Sequence, residues 1–330
     1  MARKLSGANH SMDGILVILK PPGMTSHDVV AGVRRRTGQR QVGHLGTLDP
    51  GAAGILVLCL GKATRLIPFM EDYVKGYRAE LRLGWSTDTQ DAGGKLLEEN
   101  RDSQLAASEL AGVVDLFRGE IQQIPPMVSA LKHKGQRLYE LARQGKVVER
   151  KPRTIRIYEL RPVGTWGPGP WLFGDRLLFD VTCSKGTYIR TLCQDMGTCL
   201  GVPTHMSFLL RTRVGPWGLQ HATTLEEFTN TPKNGLFPMD KGVGHLHAVI
   251  VSWEGARRLQ QGARAMTEHI ADHLSPNIDT FTAVGNAAGH EHWLRMYDVE
   301  GGFLGIGRRQ KVAEQGWEIQ PVRMLPLATD

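Results

Sequence analysis

The stretch Ile55-Leu-Val-Leu-Cys-Leu60 is the longest unbroken apolar run in the chain. A membrane-spanning helix needs about 20 such residues, so a run of this length predicts a short buried strand. Gly14-Ile-Leu-Val-Ile-Leu19 has the same character and is stopped by Lys20-Pro-Pro-Gly23. Tyr77-Arg-Ala-Glu-Leu-Arg-Leu83 differs, because apolar and polar residues alternate, and it predicts a half-buried strand. Leu177–Thr182 predicts another strand. Two helices are legible among these. Ser26 is a suitable N-cap, with Asp28 in the first turn and Val29, Val30 and Val33 on one stripe. Arg34, Arg35 and Arg36 then precede Gly38, where they can complement the helix C-terminus or touch phosphate. The second helix follows Gly186. Ile189, Leu192, Cys193, Met196, Cys199 and Leu200 keep helical spacing up to Gly201, with Arg190 beside the helix start.

At 330 residues, with 41% apolar and 22% charged, the chain is sized for about two globular domains. The composition shift over Thr229–Gly244 predicts a linker between them. Beyond it, strands at Ala248–Val251, Trp293–Tyr297 and Phe303–Ile306 and a helix at Glu254–Gln261 predict a small barrel-like domain. Four cysteines without a C-x-x-C pair give neither a disulfide framework nor a zinc pattern. With no apolar secretory core at the N-terminus, a soluble, cytoplasmic protein is expected.

The net charge is +7, and its placement matters more than its size. Leu131–Arg156 holds nine basic residues, among them Lys132, Lys134, Arg143 and Arg150, against Glu140 and Glu149, so this one segment accounts for the whole excess. A basic segment on a neutral body suggests a polyanionic partner, although a solvated helix face would look the same.

Gly61-Lys-Ala-Thr64 is not a phosphate loop: Leu56 replaces the first glycine and Ala63 the hydroxyl residue. His269 with His273, and His290-Glu-His292, lack a zinc-protease pattern, so no metal site is expected. The loop Gly43–Gly54 carries more information. Asp49 precedes a proline, which favours an extended backbone, and Gly43, Gly46, Gly51, Ala52, Ala53 and Gly54 leave room for a bulky ligand to approach. By itself Asp-Pro is a turn, and one carboxylate does not define a reaction.

The motifs together do. The chain resembles the TruB family of tRNA pseudouridine synthases through Lys20-Pro-Pro-Gly-Met-Thr-Ser26, Gly43-His-Leu-Gly-Thr-Leu-Asp-Pro50, Lys75-Gly-Tyr77 and Thr87-Asp-Thr89. The series continues with Phe117–Met127, Ser129-Ala-Leu-Lys132, Leu138–Gly145, Cys183-Ser-Lys-Gly-Thr-Tyr-Ile-Arg190 and Leu209–Arg213, in family order over about 200 residues. Leu304-Gly-Ile-Gly307 and Pro321–Leu325 are similar to the PUA-type RNA-binding module often appended to this family. Val128 stands where the family often has an aromatic ring, Leu210 replaces an arginine, and the Ser275–Gly289 loop looks long.

The resemblance implies a function and a set of roles. The reaction is isomerisation of the T-loop uridine, position 55 of tRNA. It moves neither electrons nor groups between molecules, so no cofactor or metal is expected. Asp49 is the essential carboxylate, as nucleophile or base, and Arg190 is its partner. Tyr77 would stack on the uracil, Leu209 would line the pocket, and His44 would fill the gap left by the flipped nucleotide. Lys20 and Lys185 join the substrate-binding set. Lys132, Lys134, Arg143 and Arg150 belong to a flexible insertion, about 124–153, that closes over the T-arm.

The expected fold is α+β, with a mixed, largely antiparallel catalytic sheet. Residues 1–12 form a flexible N-terminus, 13–244 the catalytic domain and 245–330 a PUA-like barrel, in a monomer. Two alternatives remain at this point: a non-catalytic tRNA-binding or tRNA-folding protein, and a guide-RNA-dependent synthase of the dyskerin type.

Overall fold

The computed structural model describes residues 12–164, 169–230, 235–274, 292–312 and 316–325. The expected N-terminal tail up to residue 11, the loop 275–289 and the His290-Glu291 pair lie outside the described residues.

Two apolar runs form the start of the main sheet. β1 (Gly14–Lys20) pairs antiparallel with β3 (Ala53–Leu60) along its whole length, from Gly14↔Leu60 to Lys20↔Gly54. Both faces of this pair are covered, which is why neither sequence alternates. Leu16, Ile18, Leu56 and Leu58 pack under Val29, Val30 and Val33 of α1 (Ser26–Thr37). Ile15, Val17, Val57 and Cys59 pack on the other side with Trp217, Leu246 and Ile306. The cap of α1 is Thr25 rather than the expected Ser26. Its side chain accepts from the Asp28 N–H while the Asp28 carboxylate accepts from the Thr25 N–H, closing a capping box.

The other half of the sheet has one packed face. β4 (Lys75–Leu83), β5 (Gly119–Gln123), β6 (Arg153–Pro162) and β7 (Arg176–Cys183) bury alternate residues against α2 (Ala107–Leu116) and α3 (Ile189–Leu200). Arg78 and Asp180 pair on the opposite face at 2.8 Å. β8 (Thr204–Val214) joins the halves, and β9 (Leu236–Phe237) and β2 (Val42–His44) complete them. The order is β9-β1-β3-β8-β4-β7-β6-β5, with β2 also on β3. Every neighbour is antiparallel except β3 and β8. The mixed, largely antiparallel α+β core is therefore present.

The parallel joint is tight. Where β8 passes β3, a Cβ on Gly54 would lie 2.3 Å from the Arg211 carbonyl oxygen, and the residue sits at φ +115°. Only glycine fits that approach. The joint puts the loop before β3 beside the middle of β8.

From residue 235 on, the expected linker over Thr229–Gly244 is packed chain. β9 pairs with β1, Phe237 packs 4.9 Å from Trp217, and Val243 is fully buried. Its Pro, Asn and Gly content suggested a loop, but the apolar residues among them each find the core. After it, His247–Val251, Ala265–Met266, Ile270–Leu274, Trp293–Tyr297, Phe303–Val312 and Gly316–Met324 form a six-stranded, nearly closed sheet. The helix Trp253–Gln260 packs on its own core there. This barrel meets the first sheet through apolar contacts, with Trp293 edge-on to Phe69 at 5.3 Å.

Candidate active site

The Asp49 turn is fastened from both sides. Ala52 N–H donates to the Asp49 carbonyl at 3.1 Å, and Leu48 and Ala52 are buried in the core on either side of the carboxylate. The Pro50 carbonyl receives the Gly23 N–H at 2.8 Å and Lys20 Nζ at 3.3 Å. Lys20 Nζ also donates to Pro21 O at 2.9 Å and Met24 O at 2.7 Å, and its side chain is fully buried. All three of its N–H donors are occupied beneath the turn. Burial, with Arg211 nearby, pulls its pKa down to about 8. Lys20 thus braces the Lys20–Ser26 segment against the Asp49-Pro50 turn rather than reaching outward. Ser26 adds a second clamp. Its Oγ donates to Leu48 O and accepts from Leu48 N–H.

Arg211 is a third brace, and nothing in the sequence marks it beyond its place in the Leu209–Arg213 motif. Its guanidinium is wholly buried and donates to Ile55 O at 2.8 Å, Thr47 O at 3.2 Å and Gly46 O at 3.3 Å. It thereby ties the two ends of the Asp49 loop together. A charge without such partners would be costly to bury.

Arg190 meets the Asp49 carboxylate side-on. Nε lies 3.1 Å from Oδ2, an ion-pair contact off the ideal hydrogen-bond line, and Nη2 donates to Oδ1 at 3.5 Å. The Arg190 side chain is 4% exposed and the Asp49 side chain 35%. The arginine is therefore fixed inside while the carboxylate faces outward. Nη2 also donates to Val128 O at 2.7 Å, and Nη1 to Thr89 O at 3.4 Å. The Val128 departure costs nothing at this contact, because the structure uses its backbone carbonyl. The Thr87–Gly94 loop supplies Thr89 and is pinned to α3 by Thr191 Oγ1 donating to Gln90 Oε1 at 2.6 Å.

Tyr77 and Leu209 lie in the same core cluster as Leu48 and Ala52, 8% and 6% exposed. They face the same side of the sheet because Leu209 pairs with Ala79 and Arg211 with Tyr77. Burial pushes the Tyr77 hydroxyl up to about 12, with Arg211 acting in the opposite sense, so it is a protonated phenol at neutral pH. Leu210, by register, points to the opposite face beside Arg78. An arginine there would not share the face of Tyr77 and Leu209.

His44 closes β2 and is half-buried; burial first, and Arg211 second, lower its pKa, which keeps the ring neutral at pH 7. Lys185 forms an ion pair with Asp72. In the insertion, Lys132–His133 and Gln136–Arg137 form a hairpin whose turn places Lys134 at φ +49° and Gly135 at φ +88°, and a short helix follows at Leu138–Arg143. Lys132, Lys134 and Arg143 are exposed. Arg150 instead donates to Pro125 O at 3.1 Å, tying the two roots of the insertion.

A model of the TruB family pseudouridylate synthase N-terminal domain matches residues 34–189, and one of the tRNA pseudouridylate synthase B C-terminal domain matches 190–254. Fold and site together define a pseudouridine synthase. The tRNA pseudouridine synthase B of Symbiobacterium thermophilum is 48% identical over 262 residues, covering 79% of this chain and 86% of that protein. That of Caldanaerobacter subterraneus subsp. tengcongensis is 40% identical over 314 residues, covering 95% and 99%. The chain belongs to the TruB family of tRNA pseudouridine synthases. Among solved structures, a Cbf5-Nop10-Gar1 complex matches with a TM-score of 0.68 at 26% identity, over 95% of this chain and 84% of that one. An H/ACA ribonucleoprotein bound to a substrate RNA containing 2'-deoxyuridine matches at 0.69 and 24%, over 95% and 85%, a likeness of fold.

Proposed function

We propose that the chain isomerises the T-loop uridine at position 55 of tRNA, acting alone and as a monomer in the cytoplasm, with Asp49 as the reacting carboxylate. The observation that carries this reading is the geometry of Asp49: a part-exposed carboxylate held by a buried arginine, in a turn whose neighbours Leu48 and Ala52 share a core cluster with Tyr77 and Leu209. In the reaction the N1–C1' bond breaks, the uracil turns, C5 bonds to C1', the C5 proton leaves and N1 gains one. Atoms and electrons balance within the nucleotide, so the protein supplies position, charge and a site for the transient steps. As a nucleophile, Asp49 would divide one hard substitution into two easier ones. As a base, it would take a proton. Both roles require the fixed carboxylate that Arg190 provides.

Around it, Tyr77 offers a ring for the extruded base, and the neutral His44 suits stacking in the gap that the base leaves, since unstacking costs a few kcal/mol. Lys132, Lys134 and Arg143 supply the phosphate contacts, while the second domain adds RNA surface. Arg150 and Lys20 serve by holding the insertion and the Asp49 turn in place. The guide-RNA-dependent alternative is less well supported: relatives named tRNA pseudouridine synthase B reach 40–48% identity, the Cbf5 complex 26%. Incubation of the protein alone with an unmodified tRNA transcript, followed by mapping, tests the proposal. Pseudouridine at position 55 without added RNA or protein is the expected result.

A further inference from the structure

Gln123 ends β5, immediately before the insertion, and is 1% exposed. Its carboxamide makes a two-point contact with one residue across the sheet: Oε1 accepts from Tyr188 N–H at 2.8 Å and Nε2 donates to Tyr188 O at 3.1 Å. Tyr188 is the N-cap of α3, two positions before Arg190, and offers no capping side-chain bond of its own. The other end of the same connection is Val128, five residues beyond Gln123, whose carbonyl receives Arg190 Nη2. The start of the arginine helix is thus registered twice against the root of the insertion, once through its backbone and once through the guanidinium.

We propose that Gln123 is a positioning residue for the isomerisation, setting the first turn of the Arg190 helix so that the guanidinium meets Asp49. The inference rests on the reading of Asp49 and Arg190 given above. A buried amide that satisfies both the N–H and the C=O of one residue fixes that residue in translation and rotation. A displacement of about 1 Å at a reacting group can cost on the order of 100-fold in rate.

The test measures single-turnover rates and tRNA dissociation constants for Gln123→Leu and Gln123→Glu, each in the parent and in an Arg190→Lys background. Gln123→Leu should slow turnover by about 10–100-fold, with tRNA affinity within about threefold. In Arg190→Lys, itself slow, the same change should cost under about threefold, because residues acting through one another are not additive. Gln123→Glu keeps the acceptor for Tyr188 N–H but loses the donor to Tyr188 O. Protonation of that buried carboxyl restores the donor, so its rate relative to the parent should rise as pH falls. This variant decides the matter if Gln123→Leu does not fold.

Three results overturn the proposal: parental turnover in both Gln123 variants, a loss of the same factor in both backgrounds, or a Gln123→Glu rate ratio that is flat with pH. Full activity of Arg190→Lys alone is a different failure. It removes the underlying reading of the ion pair, and the role of Gln123 with it.

Discussion

Ser26 and Leu48, 22 positions apart in the chain, exchange two hydrogen bonds through a single hydroxyl: Ser26 Oγ donates to Leu48 O at 3.1 Å and accepts from Leu48 N–H at 2.9 Å. Both residues are buried, and the next residue is Asp49. The first turn of α1 is thereby joined directly to the backbone beside Asp49, the proposed reacting carboxylate.

Ser26→Ala should therefore act on stability and on the site together. It leaves the Leu48 N–H and carbonyl buried without their partner, a loss of about 1–3 kcal/mol. Thermal or urea unfolding should show that loss, with a lower turnover rate and little change in tRNA affinity. Thr25→Ala removes only the helix cap, and its cost of about 1 kcal/mol should come without the turnover defect.

The insertion makes a prediction with an internal control. Neutralising Lys132, Lys134 and Arg143 together should weaken tRNA binding. The slope of log K against log [salt] should fall by about 0.7–0.9 for each phosphate that is no longer neutralised. Arg150 carries the same charge in the same segment, but its guanidinium is tied to Pro125 O. Arg150→Ala should leave the slope unchanged. A uniform effect of all four residues in titrations from low to moderate salt would mean that placement does not matter.

Lys75 gives a pH dependence of known sign. Burial, with Arg211 second, lowers its pKa from 10.5 to about 8. Below pH 8 the lysine is protonated in both folded and unfolded chains, and folding bears the cost of burying the charge. Between about pH 8 and 10.5 the folded chain sheds the proton while the unfolded chain retains it, so stability rises with pH. The parent should thus gain stability relative to Lys75→Met over that window in unfolding midpoints measured at each pH. A constant difference would place the Lys75 ammonium in a solvent-like environment.

The sequence is most legible where one physical demand dominates. Ile55–Leu60 and Gly14–Leu19 have to be buried strands because nothing polar interrupts them, and Ile189–Leu200 keeps a 3.6-residue spacing up to its terminal glycine. Asp49, Tyr77 and Arg190 are reached through motif resemblance, and the fold explains why several of those motifs occur together: the Lys20–Ser26, Cys183–Arg190 and Leu209–Arg213 segments each hold the Asp49 loop from one side. The misses have physical causes. Thr25 and Ser26 are both competent caps, and Asp28 three residues after Thr25 is the discriminating signal. Arg211 and Gln123 are long polar side chains in strands, ordinarily read as exposed. Their burial depends on backbone carbonyls and amides that only the assembled sheet presents. The bracing contacts of Lys20 go unread for a related reason, since a lysine beside two prolines gives no hint that three carbonyls converge on it. The segment at 229–244 reads as a linker because its turn-forming composition masks Leu236, Phe237 and Val243.

The central claim is that Asp49 is the reacting group, and Asp49→Asn tests it most directly. The amide nearly matches the carboxylate in shape, so the turn with Pro50 should persist. Its neutral oxygen is a poor nucleophile and a poor base. Pseudouridine mapped in a T-arm transcript after incubation with the purified variant should be absent, while tRNA affinity stays within about tenfold of the parent, roughly 1.4 kcal/mol. Conversion at the parental rate by a preparation free of amide hydrolysis back to aspartate would contradict the account.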